Sequence, residues 1–204
     1  MTRLADIEPL ASLRRCATLC REGEHLFRWV GDAMDRQHFV ELYDYNYWAQ
    51  RRVWACVLQL SEEDFRRDLR YSVGSILDQC AHTLAVEHWW FVFLGTGKLA
   101  FLDGRQFTTR EAIRAQWDAT EALVRAYLDR LTPEESRREV RPDFWPAEQR
   151  PIKVYQALTQ VANHSTDHRA QTLAGLHRLG APTVGQDVLD YLFDLQESVA
   201  GVAV

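Results

Sequence analysis

His164 and His168 stand four residues apart in Q-V-A-N-H-S-T-D-H-R-A-Q-T, residues Gln160 to Thr172. On a helix that spacing stacks two side chains one turn apart on one face, with Cβ atoms about 5–6 Å from each other. Imidazole–metal bonds run about 2.0–2.1 Å, so both rings can reach one ion. Two ligands make a weak site, and a catalytic zinc usually takes three protein ligands and keeps a further position open. The candidate for the third is His82, in Q-C-A-H-T-L-A-V-E-H-W-W. Taken alone, His82 reads more readily as a satisfied core or surface histidine than as a ligand, so the question is whether the fold brings it opposite the pair. His88 lies six residues further along the same segment and faces another direction.

The elements that must position these residues are helical. From Gln37 to Leu60, Phe39, Leu42, Tyr43, Tyr47, Trp48, Val53, Trp54, Val57 and Leu58 recur at three- and four-residue intervals. These aromatics read as core rather than as a ligand box. Ser61-Glu62-Glu63-Asp64 follows with a capping signature. A second helix is expected from Ser72 or Ser75 through His82 to Gly95-Thr96-Gly97. A loop over 98–107 turns at Asp103-Gly104, and a third helix opens on a capping box of Thr108 and Glu111. Thr132-Pro133-Glu134-Glu135 is a fresh helix start or turn. Pro142, Pro146 and Pro151 exclude a continuous helix over 138–151, which reads as extended or a short hairpin. The fourth helix is expected from Pro151 or Ile152 to Leu179, stopped by Gly180-Ala181-Pro182, with His164 and His168 on or beside its inward face. Two buried imidazoles there would need hydrogen bonds or a metal, because an unpaired buried polar group costs about 1–3 kcal/mol. A short helix over Gln186 to Gln196 precedes the apolar end G-V-A-V.

Composition limits the classes. At 204 residues the chain is most simply one domain with an appendage, and a hydrophobic fraction of 47% supports a real core. A net charge of −5 with mixed signs and no basic stripe argues against a nucleic-acid partner. No stretch approaches the ~18 apolar residues of a membrane span, and the N-terminus lacks the apolar run of a signal peptide. The expected setting is cytoplasmic. Cys16 and Cys20, one turn apart with His25 beyond, allow a metal or redox reading. With no CxxC in the chain, small buried hydrophobes are the simpler one. Residues 1 to about 36 read as one or two helices around Leu13, Leu19, Leu26 and Phe27. The whole pattern is an all-α bundle of four long helices, an architecture that places metal ligands on facing inner helix faces.

Three segments resemble the DinB/YfiT-like superfamily of metal-binding four-helix bundles. H-F-V-E-L-Y-D-Y-N-Y-W-A-Q-R-R-V, from His38, is similar to the family's opening helix with its asparagine-tryptophan-alanine core, here Asn46 to Ala49 with Tyr47 inserted. G-S-I-L-D-Q-C-A-H-T-L-A-V-E-H-W-W, from Gly74, is similar to the segment in which a histidine is followed by a glutamate and a tryptophan. N-H-S-T-D-H-R-A-Q, from Asn163, resembles N-H-x-x-H-H-R-G-Q and is the most specific. Asp167 stands where the family commonly has histidine, and Ala170 where it has glycine; neither is a presumed ligand. The resemblance spans roughly residues 38 to 180. It implies an up-down-down-up bundle over 38–200 behind an N-terminal helical extension, 1–37, that has no counterpart.

Carried over residue by residue, the resemblance implies a metal triad of His82, His164 and His168. It implies a divalent ion, zinc or nickel first, though histidine ligands also suit copper and iron. Family members with assigned activities are thiol-dependent transferases or isomerases using low-molecular-weight thiols, and others are hydrolases. The expected function is a metal-dependent enzyme on small molecules, with thiol S-transfer as the leading reaction and a homodimer as the assembly. The alternatives are a stress-associated metal-binding or scaffold protein without catalysis, and a metal-dependent hydrolase. No catalytic residue beyond the ligands is assigned: Glu87, five residues from His82, is about 140° around the helix from it and should point away. Asp167 is one step off the ligand face and reads as an exposed neighbour, while Asn163, Arg169 and Gln171 can hold the helix or its loops in place.

Overall fold

The computed structural model describes residues 36–202. The readings placed on residues 1–35, the helical extension and the Cys16, Cys20 and His25 trio, lie outside the described residues. Four long helices make the bundle: α1 (Arg36–Val57), α3 (Ile76–Thr96), α4 (Arg110–Asp129) and α6 (Val154–Arg178). Short α2 (Glu62–Arg66) and α5 (Pro133–Arg137) sit in the connections, and α7 (Val188–Val202) follows the bundle. Strands β1 (Glu139–Val140) and β2 (Ile152–Lys153) pair antiparallel, Glu139 against Lys153 and Val140 against Ile152.

Local signals set most of the boundaries. Ser75 caps α3 with a complete capping box to Asp78, and Gly97, at φ +71°, closes it in the left-handed region open to glycine. Ser61 caps α2, and Thr132 caps α5 with Pro133 at the first position. Two boundaries differ from the sequence reading. The N-cap of α4 is Thr109, whose side chain accepts from the Ala112 N–H, so the expected Thr108–Glu111 box is displaced by one residue. Helix α6 starts at Val154 rather than at 151 or 152, because Ile152 and Lys153 are taken up in the pairing with β1. The proline-rich segment before β2 brings Phe144 edge-on to Trp89 at 5.6 Å, so it lies over the C-terminal half of α3.

Helix directions follow from side-chain pairs. Arg36 meets Asp129 while Arg51 meets Glu121, which makes α1 and α4 antiparallel. His88 meets Thr120 and Phe91 meets Tyr127, so α3 and α4 run the same way. Gln79 meets Gln171 and His82 meets His164, so α3 and α6 are antiparallel. The chain therefore crosses in up-down-down-up order. Tyr43 ties three of the helices: its ring meets Phe91 edge-on at 5.4 Å and its hydroxyl donates to the Leu158 carbonyl at 3.0 Å. Tyr43, Tyr47 and Trp54 are buried, as core aromatics should be.

Two contacts fix α6. At Gly175, a Cβ would lie 2.7 Å from Ile76 Cδ1 and 2.8 Å from Leu69 Cδ1, so a larger residue there would have to push these two methyl ends aside where α6 packs on the start of α3. Arg169, fully buried, donates to Asn46 Oδ1 on α1, to Thr166 Oγ1 at 2.9 Å and to Gln186 Oε1 at 2.8 Å. Its guanidinium joins α1, α6 and the segment leading to α7. Truncation leaves buried acceptors unpaired, so Arg169→Ala is expected to cost about 3 kcal/mol or more, read as a lower urea midpoint. Arg169→Lys is expected to recover only part of the loss, because one ammonium cannot reproduce the fork of donors.

Candidate metal centre

The antiparallel crossing of α3 and α6 brings His82 opposite His164 and His168. The Nε2 atoms of His82 and His164 are 3.2 Å apart. Two nitrogens bound to one ion at about 2.1 Å, at tetrahedral or octahedral angles, would be separated by roughly 3.0–3.4 Å. One potential ligand atom from each of the three histidines lies within 4.8 Å of the others. The ring centroids of His168 stand 4.5 Å from His82 and 4.3 Å from His164. Among the described residues this is the one group of three or more His, Cys, Asp or Glu side chains with metal-ligand geometry.

The expectation of two buried imidazoles holds for one of them. His168 is buried, whereas His82 and His164 are partly exposed at the rim. The reason is angular: His168 is 40° around α6 from His164 at 100° per residue, which turns it further toward the core. The triad thus has a protein side and a solvent side, the arrangement an open coordination position requires.

His168 is oriented by Gln79. The ring Nδ1 lies 2.8 Å from Gln79 Oε1, which can only accept, so Nδ1 carries the proton and Nε2 is left with its lone pair for an ion. Gln79 is itself held, its Nε2 donating to Gln171 Oε1 at 3.3 Å. The Ser72 hydroxyl donates to the same oxygen, and Gln171 Nε2 donates to Asp167 Oδ2 at 3.0 Å. Asp167 therefore ends an amide chain that begins at a ligand ring. Gln79 escaped the sequence reading, although a signal was present: Q-x-x-H in α3 and H-x-x-Q in α6 mirror each other, and antiparallel helices set such motifs face to face. Glu87 does point away from the triad, as expected, and is buried in the core.

Protonation suits metal binding. Burial, then the neighbouring His168 and His82, hold His164 down to about 4 against a weak upward pull from Asp167. Burial and then His168 lower His82; burial lowers His168, opposed by Asp167. All three rings are neutral at pH 7, so an ion displaces no proton from them. His164 Nδ1 is buried without a hydrogen-bond partner, so this ring lacks the orienting acceptor that Gln79 gives His168. The donor set and its spacing fit a divalent ion.

Two outcomes are expected. Gln79→Leu should weaken zinc affinity about 10- to 100-fold by freeing the His168 ring, with an unchanged circular dichroism spectrum. The pH dependence has a definite sign. His164 has a lower pKa folded than unfolded, so protons bind the unfolded chain first and stability is lost as pH falls from about 6.5 toward 4. Urea midpoints of the metal-free protein should drop across that window, and drop less in His164→Leu.

The family model of the DinB family matches residues 34–198. A solved four-helix bundle protein, TT2238, superposes with a TM-score of 0.52 at 15% identity, covering 67% of this chain and 98% of its own. A DinB-like protein from Bacillus cereus ATCC 10987 superposes with a TM-score of 0.56 at 15% identity, covering 73% of this chain and 95% of its own. At that identity the two structures speak for the fold alone. No curated protein matches the chain. With four of its helices in the bundle order and the family model spanning the whole bundle, this chain belongs to the DinB family.

Proposed function

We propose that this protein is a divalent-metal-dependent enzyme acting on small molecules, with S-transfer from a low-molecular-weight thiol as its reaction. The observation that carries the reading is the 3.2 Å approach of two Nε2 atoms from separate helices, completed by a third imidazole that Gln79 orients. A divalent ion held there would lower the pKa of a bound water or thiol. In the reaction a thiol sulfur forms a bond to an electrophilic carbon, the leaving group departs with its electron pair, and the thiol proton passes to solvent. The chain's own part is to keep the three rings neutral, fix the tautomer of His168 and leave the rim of the site open. The groups tied to His168 are the amides of Gln79 and Gln171, and Asp167 is engaged by Gln171. A thiol that ionises on coordination needs no further base, which is in keeping with a site to which no general base is assigned.

The same amide network favours a second reading, a metal-binding or scaffold protein without catalysis. Zinc or nickel is the proposed ion, and the cytoplasm, where thiols stay reduced, is the proposed setting. Cys56 and Cys80 are free thiols, in keeping with it. Among the described residues no helix is long and apolar enough to cross a membrane. A homodimer is proposed as the assembly, with the exposed Leu189, Leu192 and Phe193 of α7 in its support.

The deciding measurement is metal content of untagged protein, wild type beside His168→Ala, followed by a zinc- or nickel-loaded assay with a thiol and an electrophile. Near-stoichiometric metal lost in the variant, with metal-dependent turnover, is the expected result. Bound metal without turnover on any common cellular thiol would favour the scaffold reading. A wild type that stays empty after dialysis against both metals would remove the enzyme reading altogether.

A further inference from the structure

A second polar site lies inside the bundle, on the side of α3 turned away from the triad. Glu87 on α3 and Tyr47 on α1 are 4% and 1% exposed. Glu87 Oε1, the Tyr47 hydroxyl and Gln50 Oε1 are all buried, and none makes a hydrogen bond of normal geometry. The three residues line one cavity, with apolar Trp54, Leu84 and Ile113 and the polar side chains of Asn46, Thr83 and Ser165 also on its wall. The cavity volume of about 10 Å³ is room for the centre of one water. Three buried polar atoms without a partner of normal geometry are costly, at about 1–3 kcal/mol for each unpaired group. One water answers all three. It has two protons to donate, one to Glu87 Oε1 and one to Gln50 Oε1, and a lone pair to accept from the Tyr47 hydroxyl, and three hydrogen bonds are typical of a buried water.

We propose that Glu87, Tyr47 and Gln50 form an interior site that binds one water molecule and one exchangeable proton, independent of the histidine triad. The charged and titratable groups around Glu87 are Tyr43 and Tyr47 from α1, Glu121 from α4 and Arg169 from α6. Tyr43 is committed to the Leu158 carbonyl, Glu121 to Arg51 and Arg125, and Arg169 to Asn46, Thr166 and Gln186. Apart from the Tyr47 hydroxyl, which lies beside it, none of them therefore pairs directly with the Glu87 carboxyl. Burial pushes Glu87 up to about 7, with Tyr47 and Arg169 opposing and Glu121 adding to the rise. The proton sits on the folded chain where the unfolded chain has lost it. The resulting stability is complete below the unfolded value of 4.5, declines as pH rises and is gone above about 7.

A high-resolution crystal structure of the wild type tests the water. A single ordered water in contact with all three oxygens is expected. An empty cavity, a direct Glu87–Tyr47 hydrogen bond that closes it, or a metal ion with anomalous signal would overturn the proposal. The proton is tested by urea unfolding from pH 4.5 to 8. The midpoint of the wild type should fall relative to Glu87→Gln as pH rises from 4.5 to about 7 and level off above it, while zinc content is the same in both proteins. Parallel profiles would overturn it. Because Glu87→Gln can fail to fold, the wild type is also followed by infrared spectroscopy with isotope-labelled glutamate. A buried carboxylic-acid carbonyl band that disappears around neutral pH is expected, and its absence at pH 5 would count against the proposal.

Discussion

Where α6 crosses α3, Gly175 presents bare backbone to Ile76 and Leu69. The site depends on the separation and register of the two helices at this crossing. Within about three turns of it along either helix, the register sets Gln79 against His168 and Gln171, and His82 against His164. A rotation of α6 by one residue, 100°, would carry His168 out of reach of Gln79 and break the chain of amides behind it. Arg169 resists that rotation from the other side, because its three partners sit on α1, on α6 and before α7. Packing with little freedom on one face and a buried guanidinium on the other leave the triad little room to drift.

The polar groups divide into two sets with opposite relations to solvent. The triad lies at the rim, where burial is enough to keep the imidazoles neutral and exposure is enough to admit another molecule. Glu87 and Tyr47 lie where admission is limited to something the size of water. Helix α3 serves both because its ligand and its glutamate are about 140° apart around the axis. One helix thereby carries a candidate metal ligand on one face and a buried carboxyl within the core.

Much of this was legible in the sequence, and the residues show why. Helix periodicity is a local property, so the four long helices and the capping of Ser61, Ser75 and Thr132 could be read directly. His164 and His168 were visible because their spacing is one turn. His82 was named as a candidate ligand from the residues and by resemblance, and the fold supplies the distance that makes the three one cluster. What escaped depended on contacts between distant segments. The start of α6 depends on pairing with β1, fourteen positions away from Lys153 at Glu139. The choice of Thr109 over Thr108 is a matter of backbone angles that two adjacent threonines do not disclose. Gln79 became meaningful only once α3 and α6 were known to be antiparallel, and the uneven burial of the two α6 histidines only once the tilt of that helix was known.

His82 and His164 are separated by 82 residues of chain. An ion shared between them is a cross-link as well as a reactive centre. It would close a loop containing α4, α5 and the β1–β2 hairpin, and deny the unfolded chain the conformations in which those ends are apart, as a disulfide of similar span does. The loaded protein would then leave its folded state only by surrendering the ion, so its lifetime would follow metal release. Cellular supply of the ion would set how long each copy persists, and not only whether it can react.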